Sequence, residues 1–186
     1  MRLLTLLLIF SLLSSCSISP SPSTIRVAYL IQQTGQLSQT ELNKHTEVLV
    51  TNSFEELKLA ARNRIALWID KDAAQLVEAG WLDTMPQASY PIIMIGYNDT
   101  LLSFKYKLRI CCFLGPADPD FSGAEPGFSV IERDSGAPGA PITMLQGFKQ
   151  APTVDDILKI SNYLLDGKIK PTIAAQPPII LVTATP

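Results

Sequence analysis

Glu47-Val-Leu-Val-Thr51-Asn-Ser53-Phe-Glu-Glu56-Leu-Lys-Leu-Ala-Ala61 decides the fold, because it joins an apolar run directly to a helix opening. Val48, Leu49 and Val50 form an unbroken apolar run, which suits a strand covered on both faces better than one with a wet side. Ser53 and Glu56 stand three apart at the start of the next segment, the spacing of a capping box that satisfies first-turn backbone donors. Phe54, Leu57 and Ala61 then share one helical face, and Asn63 sits where a left-handed stop belongs. Strand followed at once by helix is half of a βαβ unit.

The alternation recurs along the chain. Residues 25–31, 65–69 and 91–95 read as further short strands rich in Ile, Val and Leu. Asp72 is placed to cap a helix over 73–79 that Gly80 ends, and Asn98 or Asp99 to open one through Leu102 and Tyr106. The repeated Lys and aromatic residues at 104–109 leave the end of that helix open. Thr153 and Asp156 open a helix with Val154, Ile157, Leu158, Ser161, Leu164 and Leu165 on one stripe, closed by Gly167. Residues 109–114 are a candidate fifth strand and 115–127 a Pro- and Gly-rich loop. Phe128–Arg133 and Ile142–Phe148 bracket a Gly/Pro turn and read as an antiparallel hairpin. These signals predict an α/β fold: an open, mostly parallel sheet with helices on both faces, flavodoxin-like or Rossmann-like in three layers, with an antiparallel edge hairpin. There are no internal repeats.

The N-terminus has a different character. Arg2 precedes an apolar run over 3–13, which ends in Leu13-Ser14-Ser15-Cys16. This run is about half the roughly 20 residues a membrane span needs. The tetrad resembles the lipobox of bacterial lipoprotein precursors. That resemblance covers residues 1–16 and implies a lipid on the Cys16 thiol, cleavage before Cys16 and acylation of the new amino group. Each buried methylene contributes about 0.8 kcal/mol, so two or three acyl chains anchor a soluble domain stably. The expected organisation is a signal peptide at 1–15, the lipidated cysteine and a Ser/Pro tether at 16–24, one α/β domain at 25–170, and an uncharged tail at 171–186. In the tail, residues 179–183 offer either a final edge strand or an extended end, and Pro177 and Pro178, which interrupt strand pairing, favour the second. The resemblance places the domain outside the cytoplasm, at the cell membrane or outer membrane.

Cleavage removes Arg2 and leaves 14 basic against 17 acidic side chains, a net charge of about −3. A mildly acidic chain without Lys or Arg runs has no footprint for nucleic acid. His45 is the only histidine, so a multi-His metal site is excluded and a catalytic triad would have to run through it; no nucleophile pairs with it in sequence, and a solvated His45 is expected. Walker and dinucleotide glycine patterns are absent, and Gly96 alone after a strand is a weak signal. Cys111 and Cys112 are adjacent and read as small core residues with free thiols.

One constellation remains. Ligands of open α/β sheets bind beyond the carboxyl ends of the strands, where this chain places Asn52, Asp70, Asp72, Asn98 and Asp99. Most of these also stand where helix caps belong, and capping is the weightier expectation; Asp70 is the least explained. The sequence therefore points to a membrane-anchored, extracytoplasmic module that binds a protein or envelope partner without catalysis. The alternative is a small-molecule or metal-ion binding domain using the carboxyl edge. A metal-dependent hydrolase built on Asp70, Asp72 and Asp99 comes last. The sequence marks no catalytic residue, metal ligand or cofactor beyond the expected lipid on Cys16.

Overall fold

Among the described residues short apolar runs form six strands of one sheet: β1 (Val27–Leu30), β2 (Val48–Thr51), β3 (Ala66–Asp70), β4 (Ile92–Ile95), β5 (Phe128–Arg133) and β6 (Ile142–Phe148). A computed structural model describes residues 24–84, 91–110, 126–133 and 142–166. Cys16 and its tetrad, the tether, Cys111, Cys112, Gly167 and the tail lie outside these residues. Strand order is β2-β1-β3-β4-β5-β6. The first four strands run parallel, β5 is antiparallel to β4, and β6 to β5, so the expected edge hairpin is present. The fold is α/β with a mixed sheet.

Among the described residues four α-helices accompany the strands: α1 (Gln39–Leu42), α2 (Phe54–Ala60), α3 (Trp81–Thr84) and α4 (Val154–Asp166). A 3-10 helix, Lys71–Leu76, follows β3, and a π-helix, Leu101–Lys107, follows β4. The reason for unbroken apolar strands is visible in the packing. Val27, Tyr29, Ala66, Trp68, Ile93 and Ile95 join one cluster with α4. Their neighbours Ala28, Leu30, Leu67, Ile69, Ile92 and Met94 join another with Leu57, Ala73, Leu82 and Phe104. Because successive strand residues point to opposite faces, a sheet buried on both needs apolar residues at every position. Each large side chain buried this way contributes about 1.5–3 kcal/mol.

Ser161 shows how a polar residue joins an apolar stripe. Its hydroxyl accepts from Trp68 Nε1 at 2.8 Å and donates to the Ile157 carbonyl at 2.8 Å. The indole nitrogen would otherwise be buried without a partner.

Several local expectations are corrected. Ser53 Oγ accepts from Glu56 N at 3.3 Å, but the Glu56 carboxylate accepts from Thr51 Oγ1 at 2.5 Å, so only half the capping box forms. Asn63 is not left-handed; α2 ends through tighter bonds from Arg62 N and Asn63 N to carbonyls three residues back. The helix expected over 73–79 is a 3-10 helix that starts earlier and stops at Leu76, with Val77 extended. Its cap is Asp70, whose Oδ1 accepts from Asp72 N at 3.2 Å, and not Asp72. Arg109 and Ile110 are not strand, because Arg109 adopts a left-handed backbone with φ 54°; 111–114 lie outside the described residues. His45 is half-buried beside two carboxylates rather than fully solvated. Its Nε2 lies 3.2 Å from Asp155 and its Nδ1 3.6 Å from Glu47, so it ties the loop before β2 to the start of α4.

Candidate functional site

Parallel register brings the strand ends level: Leu30 pairs with Thr51 and Ile69, and Asp70 with Ile95. From β1 the chain crosses to β2 on one side, and from β3 to β4 on the other. The crossovers therefore part between β1 and β3, which is the place where open α/β sheets leave a crevice.

Asp70 organises the floor there. It is fully buried, and its Oδ2 accepts from Tyr29 Oη at 2.6 Å and from Gln36 N at 2.7 Å while Oδ1 caps the 3-10 helix. Three donors to one carboxylate replace its lost hydration. The Tyr29 hydroxyl is held above its ordinary range, first by burial, then by its hydrogen bond to Asp70 and the nearby charge. Gly35 lets the loop after β1 close over this pair, since a Cβ there would collide with the Tyr29 hydroxyl and Ile31. The loop is thus pinned from beneath.

Above it opens a cleft of about 600 Å³, lined by Gln32, Gln33 and Thr34 of that loop, Lys71, Asp72, Ala74 and Gln75 of the 3-10 helix, Tyr97 after β4, and Tyr106, Lys107 and Arg109 at the end of the π-helix. Two backbone features shape this lining. Gly96, with φ +107°, lets the Lys71 stem cross the end of β4, because a Cβ would stand 2.6 Å from Lys71 Cδ. Arg109 occupies the left-handed position that closes the π-helix, where glycine is the usual residue. An L side chain there costs about 1 kcal/mol.

The π-helix is held by buried hydroxyls as well as by backbone. Leu102 N donates to Asp99 Oδ1 at 2.8 Å, and Ser103 Oγ to the Asp99 carbonyl at 2.7 Å. Ser129 Oγ of β5 donates to the Tyr97 carbonyl at 2.7 Å and lies 3.1 Å from Ser103 Oγ. The wide turns bond Leu108 N to the Ser103 carbonyl, five residues back. Helices of this kind are rare and concentrate at functional sites.

The five residues singled out in sequence do not converge. Asp72 lines the cleft. Asp70 lies under it, spent on three internal bonds. Asp99 caps the π-helix, and Asn98 packs against Gly127 and Gly147 of the hairpin. Asn52 is exposed at the end of β2, away from the cleft lining. Among the described residues no three His, Cys, Asp or Glu side chains are placed to hold a metal, so the three-aspartate arrangement does not assemble. The cleft's basic residues Lys71, Lys107 and Arg109 are not among those the sequence singles out. Lys71 stands apart in sequence with no basic run to announce it; the one signal for Lys107 and Arg109 is the alternation of basic and aromatic residues at 104–109.

Comparison of the chain with protein-family models, curated proteins and solved structures gives no match.

Proposed function

We propose that this chain is a lipid-anchored, extracytoplasmic domain, attached through Cys16, that binds a small polar molecule in the cleft between the β1 and β3 ends. The observation that carries the binding reading is the position of the cleft: a concavity of about 600 Å³ at the topological switch point, beside the buried and hydrogen-bonded Asp70 carboxylate. Strand order in the parallel half and apolar clusters on both faces support a three-layer, flavodoxin-like arrangement around it.

This reading moves ahead of a protein-interaction module. Among the described residues Leu59 is the single large apolar side chain that is strongly exposed, and one leucine makes no docking patch. No helix of the described residues is long and apolar enough to cross a membrane. Attachment therefore rests on the lipobox resemblance.

Two measurements test the proposal. Palmitate labelling of the protein in its host is expected to be lost in Cys16→Ala; persistent labelling would overturn the anchor. A small-molecule panel screened by tryptophan fluorescence against the full chain in neutral detergent is expected to give ligands that Gln75→Trp, a substitution at the exposed cleft wall, no longer binds. Binding that survives the blocked cleft would place the site elsewhere.

A further inference from the structure

The charges lining the cleft identify its occupant more closely than its shape does. Among the described residues Lys71, Lys107 and Arg109 line it with a single acid, Asp72, so this lining carries a surplus of two positive charges in a chain whose formal net charge is −2. The ion pairs formed among the described residues use Arg26, His45 and Lys58 and leave these three cations without a carboxylate partner. Like charges gathered in excess of counter-charge repel one another, and an anion seated among them lowers that repulsion.

The backbone reinforces the point. Glycine would suit the left-handed position at 109, yet the chain places an arginine there, among the residues that line the cleft. Gly96 clears a path for the stem of Lys71. Two unrelated departures from ordinary backbone thus deliver two of the three cations to one space.

We infer that the cleft takes a phosphomonoester, its dianionic head held by Lys71, Lys107 and Arg109 and its carrier by the uncharged polar lining. This rests on the small-molecule reading above and narrows it. A phosphomonoester carries about −1.5 to −2 at neutral pH, which matches the surplus, whereas a carboxylate balances only half of it. The guanidinium fork suits two phosphate oxygens, and the lysines act as point charges. Gln32, Gln33, Thr34 and Gln75 offer amide and hydroxyl partners to a hydroxylated carrier, and a metal cation is disfavoured by sign.

The test is calorimetric titration of the full chain in neutral detergent with inorganic phosphate, glucose 6-phosphate, AMP, glucose and glucuronate, alongside neutral vesicles doped with phosphatidic acid. At least one phosphomonoester is expected to bind about tenfold or more tightly than glucose or glucuronate. Lys71→Met, which keeps the stem over Gly96, and Arg109→Gly, which suits the left-handed backbone, are each expected to weaken that binding about tenfold or more while leaving the thermal midpoint in place. Binding of the vesicles alone assigns the phosphate to a lipid headgroup, and binding of AMP or the sugar phosphate to a soluble molecule. Equal binding of glucose, or undiminished binding by both charge variants, overturns the inference. A neutral or cationic ligand that Gln75→Trp excludes would overturn it while leaving the cleft in use; silence toward every probe and the wider panel would retire both.

Discussion

The carboxyl ends of β2 and β3 look alike in sequence and do different things. Each apolar run closes on a polar cluster, Thr51-Asn52-Ser53 in one case and Asp70-Lys71-Asp72 in the other. At β2 the polar groups satisfy one another: Thr51 Oγ1 bonds Glu56 and accepts from Ser53 N at 3.0 Å, and Ser53 caps α2. At β3 one carboxylate turns inward and meets three donors, while Lys71 and Asp72 are left facing the cleft. The difference lies in topology. β2 is an edge strand, whereas β3 borders the switch point, where the loop after β1 and the π-helix after β4 close in. A polar strand end is an ordinary cap until its neighbours make it a wall.

The comparison breaks most clearly at Asp70. Asp70→Ala strips partners from the buried Tyr29 hydroxyl, from Gln36 N and from Asp72 N, and is expected to cost about 3 kcal/mol or more in a urea titration. The equivalent cut at the β2 end, Thr51→Ala, is expected to cost about 1 kcal/mol, since Ser53 and Glu56 have water close by. Equal costs would show that the β3 end is not the better-built of the two.

Tyr29 adds a pH dependence found only at the β3 end. Burial, with the Asp70 bond and charge behind it, raises the folded-state pKa of the hydroxyl above the value near 10 of the unfolded chain. Above pH 10 the unfolded state therefore gives up this proton first, so the contribution is full below pH 10 and is lost as pH rises beyond it. Denaturant midpoints are expected to fall more steeply between pH 10 and 11 in the native chain than in Tyr29→Phe. Parallel curves would assign the alkaline loss to other groups.

Much of this fold is legible in the sequence because its strands are apolar at every position and its caps stand at fixed spacing. Phe128–Arg133 and Ile142–Phe148 pair as the turn between them implies, and Thr153 Oγ1 accepts from Asp156 N at 3.2 Å as the spacing requires. Asp70 is legible only as an unexplained acid, since its partners Tyr29 and Gln36 lie 41 and 34 residues away. The cleft's cations fail to register for a related reason. Lys71 reaches the site because Gly96, just after β4, yields space, and Arg109 because a π-helix ends two residues before it. Helical periodicity assumes 3.6 residues per turn, and the wider turn moves Tyr106 and Lys107 off the faces it assigns.

The smallest effects sharpen the comparison at the backbone. Ser53→Ala at the β2 end is expected to cost about 1 kcal/mol, the usual value of a cap. At the other rim, Arg109→Gly relieves a left-handed arginine by about 1 kcal/mol and returns about as much through unfolded-chain entropy, so its stability is expected to stay within about 0.5 kcal/mol of the native chain. Arg109→Val removes the same charge but puts a β-branched residue where φ is 54°, and is expected to lose about 1–2 kcal/mol. The two variants share their loss of charge and differ in backbone. If both weaken ligand binding alike while only the valine melts earlier, the arginine is retained for what its side chain holds; if the glycine also melts earlier, the guanidinium stabilises the fold, and the strain at 109 has a structural use.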